Sequence, residues 1–400
     1  MKIAYITAQT PWGKAESFIL EEMLEVKRQE IDLLIIPRNP PKEIFHKEAE
    51  KLLENAVRSP LMNFKIAFIF LKSLLDISFW KILGALIEHS RNPLILIKNL
   101  AVLPKGIFIA EIIQKGNIEH IHAHWGSTTA TMAYIASLLT NIPWSFTLHR
   151  GDIKENNMLK EKVKSAKFVR VISEHGKNEL LKIIGSQYDK KIEVIHMGIE
   201  IPDNIINKSQ KERKKFIIIT PAYFLEVKGH RYLIEACAIL IKKEIKNFEY
   251  ILYGEGALGK ELENLIREKN LVDYIRMLSL IPHEKLIEMY KKKEVDLVIL
   301  PSINTKQGEH EGIPVSLMEA MAYGIPVVST KTGGIPELLS GGAGLIIEEK
   351  SAEQLAEAII KIKKNRDLAE EISKSGYQHV REDFNVKTTT KKILELIRRT

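Results

Sequence analysis

Residues 311–339 read EGIPVSLMEAMAYGIPVVSTKTGGIPELL, and this stretch predicts two consecutive loop-to-helix turns around one buried strand. Pro314 suits the first position of a helix, so a helix is expected over 314–323. An apolar β-branched run follows at 326–329, and residues 332–337 then repeat the loop-to-helix arrangement. A buried strand between two helices is typical of a parallel sheet that is covered on both faces.

The same alternation of short apolar runs and helical patterns extends outward over the whole chain. It restarts at Phe216, after a polar and Lys-rich segment at 203–215. Such alternation predicts parallel sheets with helices on both sides. The predicted strands are 2–7, 32–37, 120–122, 145–148, 168–172 and 192–195, followed by 216–220, 250–253, 274–278, 297–300, 326–329 and 344–347.

We therefore predict an α/β fold of two doubly wound, Rossmann-like domains that face a cleft. The first domain is expected over 1–202, with a helical insertion around 61–110, and is followed by a linker at 203–215. The second domain is expected over 216–380. A C-terminal helix at 381–400 either ends the second domain or returns to the first. Ligands of such sheets bind at the carboxyl ends of the strands, so functional residues are expected just after strands.

Composition limits the classes of function. The chain has 400 residues and a formal charge of +8, which suits anionic partners such as nucleotide diphosphates or acidic lipid headgroups. A concentrated basic stripe with interleaved aromatic residues is missing from the sequence, so nucleic acid is not an expected partner. The single cysteine, Cys237, excludes an internal disulfide and fits the cytoplasm. The N-terminus lacks the apolar core of a signal peptide.

No membrane-spanning helix is expected in the apolar segment 61–110, because charged residues interrupt it at Lys65, Lys72, Lys81, Glu88, Arg91, Lys98 and Lys105. Two interpretations stay open. In the first, its helices pack on the first sheet while the lysines reach water. In the second, it forms an amphipathic surface that docks on an anionic membrane and collects a lipid-linked acceptor.

Two carboxylates flank the predicted helix start. Glu311 lies in the loop before the helix and Glu319 lies within it, while the backbone N–H groups of the helix start favour a phosphate or a sugar hydroxyl. The carboxylates can hold sugar hydroxyls on one side and ribose hydroxyls on the other, and Gly333-Gly334 can cradle phosphate. The alternative is that both carboxylates are solvated and the glycines merely turn the chain.

A cation follows the first strand of the second half. Lys228 opens a helix in TPAYFLEVKGHRYLIEA, residues 220–236, and its ammonium can neutralise a diphosphate leaving group. The sequence contains no Asp-x-Asp, a pattern that commonly anchors a metal–diphosphate complex. Charge neutralisation is therefore expected from Lys228, helix N-termini and backbone N–H groups, without a required metal ion or other cofactor.

Histidines cluster in the first half. HIHAHWGSTTA places His120, His122 and His124 in alternation, so in a strand the three share one face. A metal site is one interpretation; a strand that leads into a loop with one functional histidine is the other. WSFTLHRGDI then ends a strand at His149, with Asp152 three residues later.

Together these motifs resemble the Glu-x7-Glu signature of the family-four glycosyltransferases, which are retaining enzymes with the GT-B fold. The resemblance implies that Glu311 contacts the transferred sugar and that Glu319 binds the ribose. It also implies that Lys228 helps to clamp the pyrophosphate. Relatives usually have an Arg five residues before this lysine, where Tyr223 stands here. Gly312, Ile313, Pro314 and Val315 are expected to line the sugar–phosphate pocket.

The resemblance extends to the first half and to other loops. HAHWG and TLHRGD look like paired motifs of the family, which places His149 beside the reacting sugar and makes His124 and Asp152 acceptor-side candidates. Gly13, in the loop after the first strand, is expected to let backbone approach the phosphates. Gly254 and Gly256 resemble a loop that lies near the nucleotide base.

The resulting hypothesis is a retaining hexosyltransferase that uses a UDP- or GDP-type sugar. The resemblance implies a glycan or lipid-linked acceptor and a role in surface polysaccharide or glycolipid assembly. The expected location is the cytoplasm, and the inner face of the membrane is kept open as a more specific location. A nucleotide-sugar epimerase or phosphorylase on the same fold is the enzyme alternative. A non-catalytic nucleic-acid- or glycan-binding protein is the other alternative.

Overall fold

The described residues form two compact units. In a computed structural model of the chain, these residues are 1–13, 16–44, 46–202 and 214–399. Unit 1 consists of residues 1–198 and 386–400, and unit 2 consists of residues 199–385. Each unit contains a six-stranded sheet. The predicted fold class, α/β with two Rossmann-like domains, is confirmed. Of the predicted linker 203–215, residues 203–213 lie outside the described residues.

Unit 1 has a parallel sheet with the strand order β2-β1-β3-β4-β5-β6. Its strands are β1 (Lys2–Thr7), β2 (Asp32–Pro37), β3 (His120–His124), β4 (Trp144–Leu148), β5 (Phe168–Val171) and β6 (Ile192–Val194). Its helices are α1 (Ser17–Arg28), α2 (Phe64–Ser73), α3 (Ile77–His89), α4 (Pro93–Lys115), α5 (Thr128–Thr140), α6 (Arg150–Glu155), α7 (Leu159–Ser165) and α8 (Glu174–Ile184).

Unit 2 has the strand order β12-β11-β10-β7-β8-β9, which is the order of a Rossmann fold. Its strands are β7 (Phe216–Pro221), β8 (Phe248–Tyr253), β9 (Ile275–Leu278), β10 (Leu297–Leu300), β11 (Val327–Thr330) and β12 (Leu345–Ile347). Its helices are α9 (His230–Lys242), α10 (Gly259–Glu268), α11 (His283–Lys291), α12 (Val315–Ala322), α13 (Ile335–Leu338), α14 (Ala352–Lys364) and α15 (Arg366–Asp383). The last helix, α16 (Val386–Arg398), belongs to unit 1.

Each sheet has one point at which the strand order reverses. In unit 2 this point lies between β7 and β10, which pair in parallel. In unit 1 it lies between β1 and β3. Loops that leave neighbouring strands in opposite directions open a crevice at the carboxyl edge of a sheet, and ligands bind there. The loops after β7, β10, β1 and β3 are therefore the places to look for a site.

The sheet of unit 1 has a hydrophobic core on each face. Successive side chains of a strand point to opposite faces, so each strand contributes to both cores. Ala4 and Ile6 of β1 belong to the core beneath α4 and α5, whereas Ile3 and Tyr5 belong to the core on the other face. That second core also contains Ile393, Leu394 and Ile397 of α16. The C-terminal helix is thus part of the hydrophobic core of unit 1.

The helices between 61 and 110 depart from the expectation in two respects. By length and composition alone, α4 could cross a membrane, although 61% of its most apolar window is buried inside the protein. Lys105 does not reach water: its side chain is fully buried, and Nζ donates to the carbonyl oxygens of Ser59 (2.8 Å) and Pro60 (3.1 Å). Burial lowers the pKa of Lys105 to about 8. Two carbonyl acceptors compensate for the buried ammonium, so this lysine ties the loop before α2 to α4.

Candidate functional site

The reversal point of unit 2 carries an ion pair. Lys228 follows β7 and Glu311 lies in the loop after β10; Lys228 Nζ is 2.7 Å from Glu311 Oε2. Both side chains are mostly buried, and Ser302 Oγ donates to the same oxygen at 3.2 Å. Ser302 lies two residues after the end of β10, and this position after a strand is the signal that could have identified it in the sequence. The structure thus joins two of the predicted site residues across 83 positions of the chain.

The glycine pair after β11 supports the Glu311 loop. Gly333 has φ +55°, and a Cβ on it would lie 1.8 Å from the carbonyl oxygen of Glu311. No other residue fits this approach, since any side chain would displace the backbone of Glu311. The backbone N–H of Gly334 donates to the Gly312 carbonyl oxygen at 3.2 Å. The two predicted glycine-rich turns therefore pack against each other beside Glu311.

Helix α12 begins one residue later than predicted. Pro314 has an extended backbone, with φ −77° and ψ 118°, and precedes the helix as its N-cap; Val315 is the first helical residue. The side chain of Ile313 packs against the core of unit 2. Because proline lacks an N–H, the donors at this end of α12 begin with Val315. The N–H groups in the first turn of a helix point outward from its N-terminal end, so this end of α12 favours an anion or a hydroxyl oxygen.

The second carboxylate of the signature has a partner of its own. Glu319 lies on α12 with its side chain mostly buried, and its Oε1 is 2.8 Å from Nε2 of His283. His283 is the first residue of α11, which follows β9. It was not among the sequence candidates, although its place after a strand matches that of Lys228. Glu319 and Glu311 thus have different partners: a histidine for Glu319 and a lysine and a serine for Glu311.

The remaining unit 2 candidates follow β7 and β8. The side chain of Tyr223 is half exposed, and its carbonyl oxygen lies 3.1 Å from Nε2 of His230. Gly254 comes directly after β8, and a Cβ on it would lie 2.2 Å from the Ala222 carbonyl oxygen. Gly256 has φ +153°. The β8 loop therefore packs tightly against the loop that carries Tyr223.

In unit 1, a chain of buried polar contacts ends at His149. His124 Nε2 and His149 Nε2 are 2.8 Å apart, and His124 Nδ1 is 3.8 Å from Glu22 Oε1. Glu22 in turn pairs with Arg170. A carboxylate beside Nδ1 favours a proton on that nitrogen, so His124 Nε2 accepts and His149 Nε2 donates. The ring of His149 also packs against Trp125, with centroids 4.4 Å apart.

The same environment sets the ionisation of these groups. Burial, together with the nearby His124, holds the pKa of His149 well below its usual value, so its ring is neutral at neutral pH. Burial raises the pKa of Glu22, but the Arg170 guanidinium, the neighbouring His124 and His122 together outweigh this effect, so the net shift is downward. Glu22 is therefore an anion that orients His124, and His124 orients His149.

Asp152 holds the turn that carries His149. Its side chain is buried; Oδ2 accepts the backbone N–H of His149 at 2.9 Å, and Oδ1 accepts that of Ser127 at 3.1 Å. Burial raises the pKa of Asp152 to about 6. The ammonium of Lys162, also buried, donates to the carbonyl oxygens of Gly126 and Ser127. Through these contacts Asp152 joins the ends of β3 and β4 and positions His149.

The loop after β1 is tied to the loop after β3. Glu16 Oε2 accepts from the backbone N–H of Gln9 (3.0 Å) and of Thr10 (2.6 Å), and Oε1 accepts from Trp125 Nε1 (2.8 Å). A Cβ on Gly13 would lie 2.8 Å from Gln9 Cβ, so this glycine allows the loop to fold on itself. Glu16 thus holds the loop across the reversal point of the unit 1 sheet.

The alternating histidines of β3 belong to the hydrogen-bond network of the sheet. Glu22, His122 and His124 offer ligand atoms within 4.8 Å of one another, which is close enough to hold a metal ion. However, both ring nitrogens of His122 already contact hydroxyls, Nδ1 that of Ser145 (2.8 Å) and Nε2 that of Thr147 (3.0 Å). His120 contacts the same Ser145 hydroxyl. His122 is therefore engaged by β4, which favours the structural interpretation over a metal site.

Unit 1 also contains a cavity of about 690 Å³ beside the start of α5. Arg38, Lys98, Lys154 and Glu155 line it, and so does Gly151, the neighbour of Asp152. Arg38 Nη1 donates to Thr128 Oγ1 at 2.6 Å, and Lys98 Nζ lies 2.7 Å from Glu155 Oε1. Three cations and one carboxylate give this cavity a net positive charge.

Comparison with known proteins finds a family match for part of the chain. Residues 202–379 match the family described as glycosyl transferases group 1. The chain is 31% identical over 262 residues to the amylovoran biosynthesis glycosyltransferase AmsK of Erwinia amylovora, covering 63% of this chain and 62% of that protein. It is 34% identical over 210 residues to the putative colanic acid biosynthesis glycosyltransferase WcaL of Salmonella typhimurium, covering 52% and 51%. The chain thus spans less than two thirds of the length of these curated relatives.

The likeness to solved structures extends over the full chain. The structure of Anabaena Alr3699/HepE in complex with UDP covers 100% of both chains, with a TM-score of 0.73 and 18% identity. A likeness at this level of identity concerns the fold alone. Residues 202–379 therefore match the glycosyl transferases group 1 in sequence, and the chain as a whole has a two-domain Rossmann-like α/β fold.

Proposed function

We propose that the chain is a retaining glycosyltransferase that moves a hexose from a UDP- or GDP-type sugar to a glycan or lipid-linked acceptor. The observation that carries this proposal is the Lys228–Glu311 pair at the reversal point of the unit 2 sheet. The match of residues 202–379 to glycosyl transferases group 1 supports it, as does the fold shared with a protein solved with UDP.

The geometry suggests a division of labour for the donor. Lys228 has three N–H groups, so it can keep its bond to Glu311 and still donate to a diphosphate. Among the described residues, the bonds to the Glu311 carboxylate all end at Oε2, which leaves Oε1 to accept from a sugar hydroxyl. In the proposal Glu319 binds the ribose, and the packed glycine turns present backbone N–H groups to the phosphates.

Retention follows in the proposal from substitution on one face of the sugar. The bond between the anomeric carbon and the phosphate oxygen breaks, and a bond to the acceptor oxygen forms on the same side. The acceptor hydroxyl proton passes to a phosphate oxygen of the leaving diphosphate. Lys228 offsets the negative charge that grows on this diphosphate. As the family resemblance implies, His149 is assigned a place beside the reacting sugar.

The relatives suggest a pathway. AmsK and WcaL are named for the biosynthesis of amylovoran and colanic acid, so we assign the chain to surface polysaccharide or glycolipid assembly. The proposed location is the cytoplasm at the inner face of the membrane, where a lipid-linked acceptor would be found.

The test is the loss of transfer in Lys228→Ala and Glu311→Ala. Each variant should lower the turnover number by about 100-fold or more, because each removes a group that stabilises the charge of the transition state. Release of nucleoside diphosphate from a panel of UDP- and GDP-sugars measures turnover. The matched controls are Lys260→Ala and Glu309→Ala, which change exposed residues of the same unit and should retain full activity. Near-normal turnover in both site variants would refute the assignment.

Incubation with the donor alone separates this proposal from the enzyme alternative. A glycosyltransferase leaves the sugar of the donor unchanged when no acceptor is present, apart from slow hydrolysis. An epimerase would convert the sugar stereochemistry under the same conditions, and NMR spectroscopy of the donor would detect this conversion. Such a conversion would replace the proposed reaction with epimerisation.

A further inference from the structure

Unit 1 exposes an unusual number of apolar side chains on α2. Phe64, Phe68 and Leu71 recur at intervals of four and three residues, which places them on one stripe of α2. The exposed Leu75 follows in the turn after this helix. Phe64 is 97% exposed and Leu75 is 91% exposed. Isolated exposed apolar residues are normal, but a continuous stripe of large ones marks a surface that is covered in use.

Helices α3 and α4 extend this surface. Ile77, Trp80 and Ile87 of α3 are exposed, and so are Leu94 and Ile97 of α4. Eleven of the 21 exposed large apolar side chains among the described residues lie between positions 62 and 100. We call the exposed apolar side chains of α2, α3 and α4, together with Leu75, the apolar face. Helices α2 and α3 both pack on α4, so the side chains of the apolar face belong to one group of packed helices in unit 1.

Basic residues are interspersed with the apolar face. Lys65, Lys72, Lys81 and Arg91 are exposed, while the same segment contains just two acidic residues, Asp76 and Glu88. Lysine is depleted in protein–protein interfaces. By contrast, large apolar residues flanked by lysine and arginine are typical of helices that lie on anionic membranes. The charge pattern therefore favours a lipid surface over a second protein as the occupant.

The positively charged cavity adjoins the apolar face. Lys98 and Ala101 of α4 line the cavity, and Ile97, next to Lys98, belongs to the apolar face. Arg38 and Lys154, from other parts of unit 1, also line the cavity and add positive charge. A cavity lined by guanidinium and ammonium groups, with more positive than negative side chains, favours binding of a phosphate. A lipid headgroup at the membrane surface could thus enter the cavity while its chains stay in the bilayer.

We propose that the apolar face inserts into an anionic membrane leaflet and that the cavity binds the phosphate of a lipid in that leaflet. The inference names a phosphate-bearing lipid as the class of acceptor. In that respect it rests on the proposed glycosyltransferase function. The membrane binding itself needs no sugar transfer. Binding measured without any nucleotide sugar therefore tests the inference separately from the enzyme activity.

The first experiment is co-sedimentation of the full chain with vesicles. The protein should sediment with vesicles of phosphatidylcholine and phosphatidylglycerol, and much less with phosphatidylcholine alone. Combining Phe64→Ser, Phe68→Ser and Leu75→Ser should lower the partition coefficient at least ten-fold, since each change removes a large apolar side chain from the bilayer. The matched control combines Leu138→Ser and Ile183→Ser, two exposed residues of unit 1 outside the apolar face, and should bind like the unmodified chain.

The second experiment tests the cavity. Lys98→Gln with Lys154→Gln should lower binding to the anionic vesicles by about 25-fold, at about five-fold for each lysine near the surface. The control, Lys160→Gln with Lys182→Gln, removes the same charge from other parts of unit 1 and should have a smaller effect. Equal effects of the two pairs would refute the role of the cavity.

Other outcomes would overturn the inference. A chain that stays in solution with anionic vesicles does not dock on a membrane. A dimer that forms in solution and dissociates in the apolar-face variant, without vesicle binding, would show that a second copy covers this face. Stabilisation of unit 1 by inorganic phosphate, again without vesicle binding, would show that the cavity takes a soluble anion.

Discussion

Tyr223 is the residue at which the proposed donor site departs from the family pattern that it resembles. It follows β7, five residues before Lys228, and its side chain is 52% exposed. The carbonyl oxygen of Tyr223 is engaged by His230, so the backbone is held while the side chain is free to be exchanged. A change at this position therefore alters the charge near Lys228 without removing a packed group.

Tyr223→Arg is expected to strengthen donor binding. A second cation beside Lys228 would add a charge-assisted hydrogen bond to the diphosphate, which contributes about 1.5–3 kcal/mol. The dissociation constant for UDP or GDP should fall about ten-fold, as measured by isothermal titration calorimetry. Tyr223→Gln keeps the side chain polar but uncharged and should leave the constant nearly unchanged. If the Arg and Gln variants bind equally, the side chain at position 223 does not reach the diphosphate.

The sequence pointed to Lys228 and Glu311, but not to Ser302, which contacts Glu311, or to His283, which contacts Glu319. Lys228 and Glu311 stand in loops after strands, and this position can be read from the chain. The bond between Glu319 and His283 joins residues 36 positions apart. Which loop residues meet depends on how neighbouring strands align the ends of their loops. A single sequence contains no signal for that alignment.

At the scale of one element, β3 shows how burial controls charge. The pKa of His120 is lowered to about 3, and that of His122 lies well below its usual value, in both cases mainly because of burial. Both rings contact the hydroxyl of Ser145 on β4. The neutral rings thus serve as hydrogen-bonding groups within the sheet, and a proton on either would be an uncompensated buried charge.

Unit 1 is therefore expected to lose stability in acid. Above the ordinary histidine pKa of about 6.5, the folded and unfolded states bind equally few protons at His120. Below it, the unfolded state alone takes up the proton, so the free energy of unfolding falls by about 1.4 kcal/mol per pH unit down to about pH 3. In His120→Asn this slope should be smaller by about that amount. The control His175→Asn changes an exposed histidine and should keep the original slope.

Tryptophan fluorescence is the measurement of choice, because all four tryptophans lie in unit 1, at positions 12, 80, 125 and 144. Urea unfolding at neutral pH and at about pH 5 gives the two free energies. If His120→Asn and the unmodified chain have the same pH slope, His120 takes up a proton in the folded state as well, and burial does not lower its pKa.

The elements themselves were predictable because their signals are local. All twelve predicted strands are present, each within two residues at either end, since buried parallel strands are short apolar runs between breakers. The sequence did not reveal that Lys105 is buried. A lysine in an apolar helix normally reaches water. Here two carbonyl groups from the loop before α2 replace water, and this loop is distant in sequence.

At the scale of the whole molecule, the path of the chain divides the two units unequally. Unit 2 is one continuous segment of the chain, whereas unit 1 is built from the segment before unit 2 and the segment after it. The isoleucine side chains of α16 pack with Ile3 and Tyr5 of β1. Unit 1 therefore depends on a helix that comes after all of unit 2 in the sequence.

Ile393→Ala should weaken unit 1 selectively. Ile393 is fully buried, and such a truncation costs about 2–5 kcal/mol. The tryptophan fluorescence transition should move to lower urea concentration. Ile359→Ala, an equally buried residue of unit 2, should leave that transition in place while far-UV circular dichroism detects earlier unfolding. Equal shifts of the fluorescence transition in both variants would mean that the two units unfold together.

This nested arrangement has a consequence for how the protein is made. On the ribosome, the whole of unit 2 emerges before α16 does, so unit 2 can reach its native state while unit 1 still exposes the β1 surface that α16 will cover. During that interval the nascent chain presents apolar groups that chaperones recognise. A chain that ends at residue 385 would accordingly contain a folded unit 2 and a unit 1 that stays a target for proteolysis.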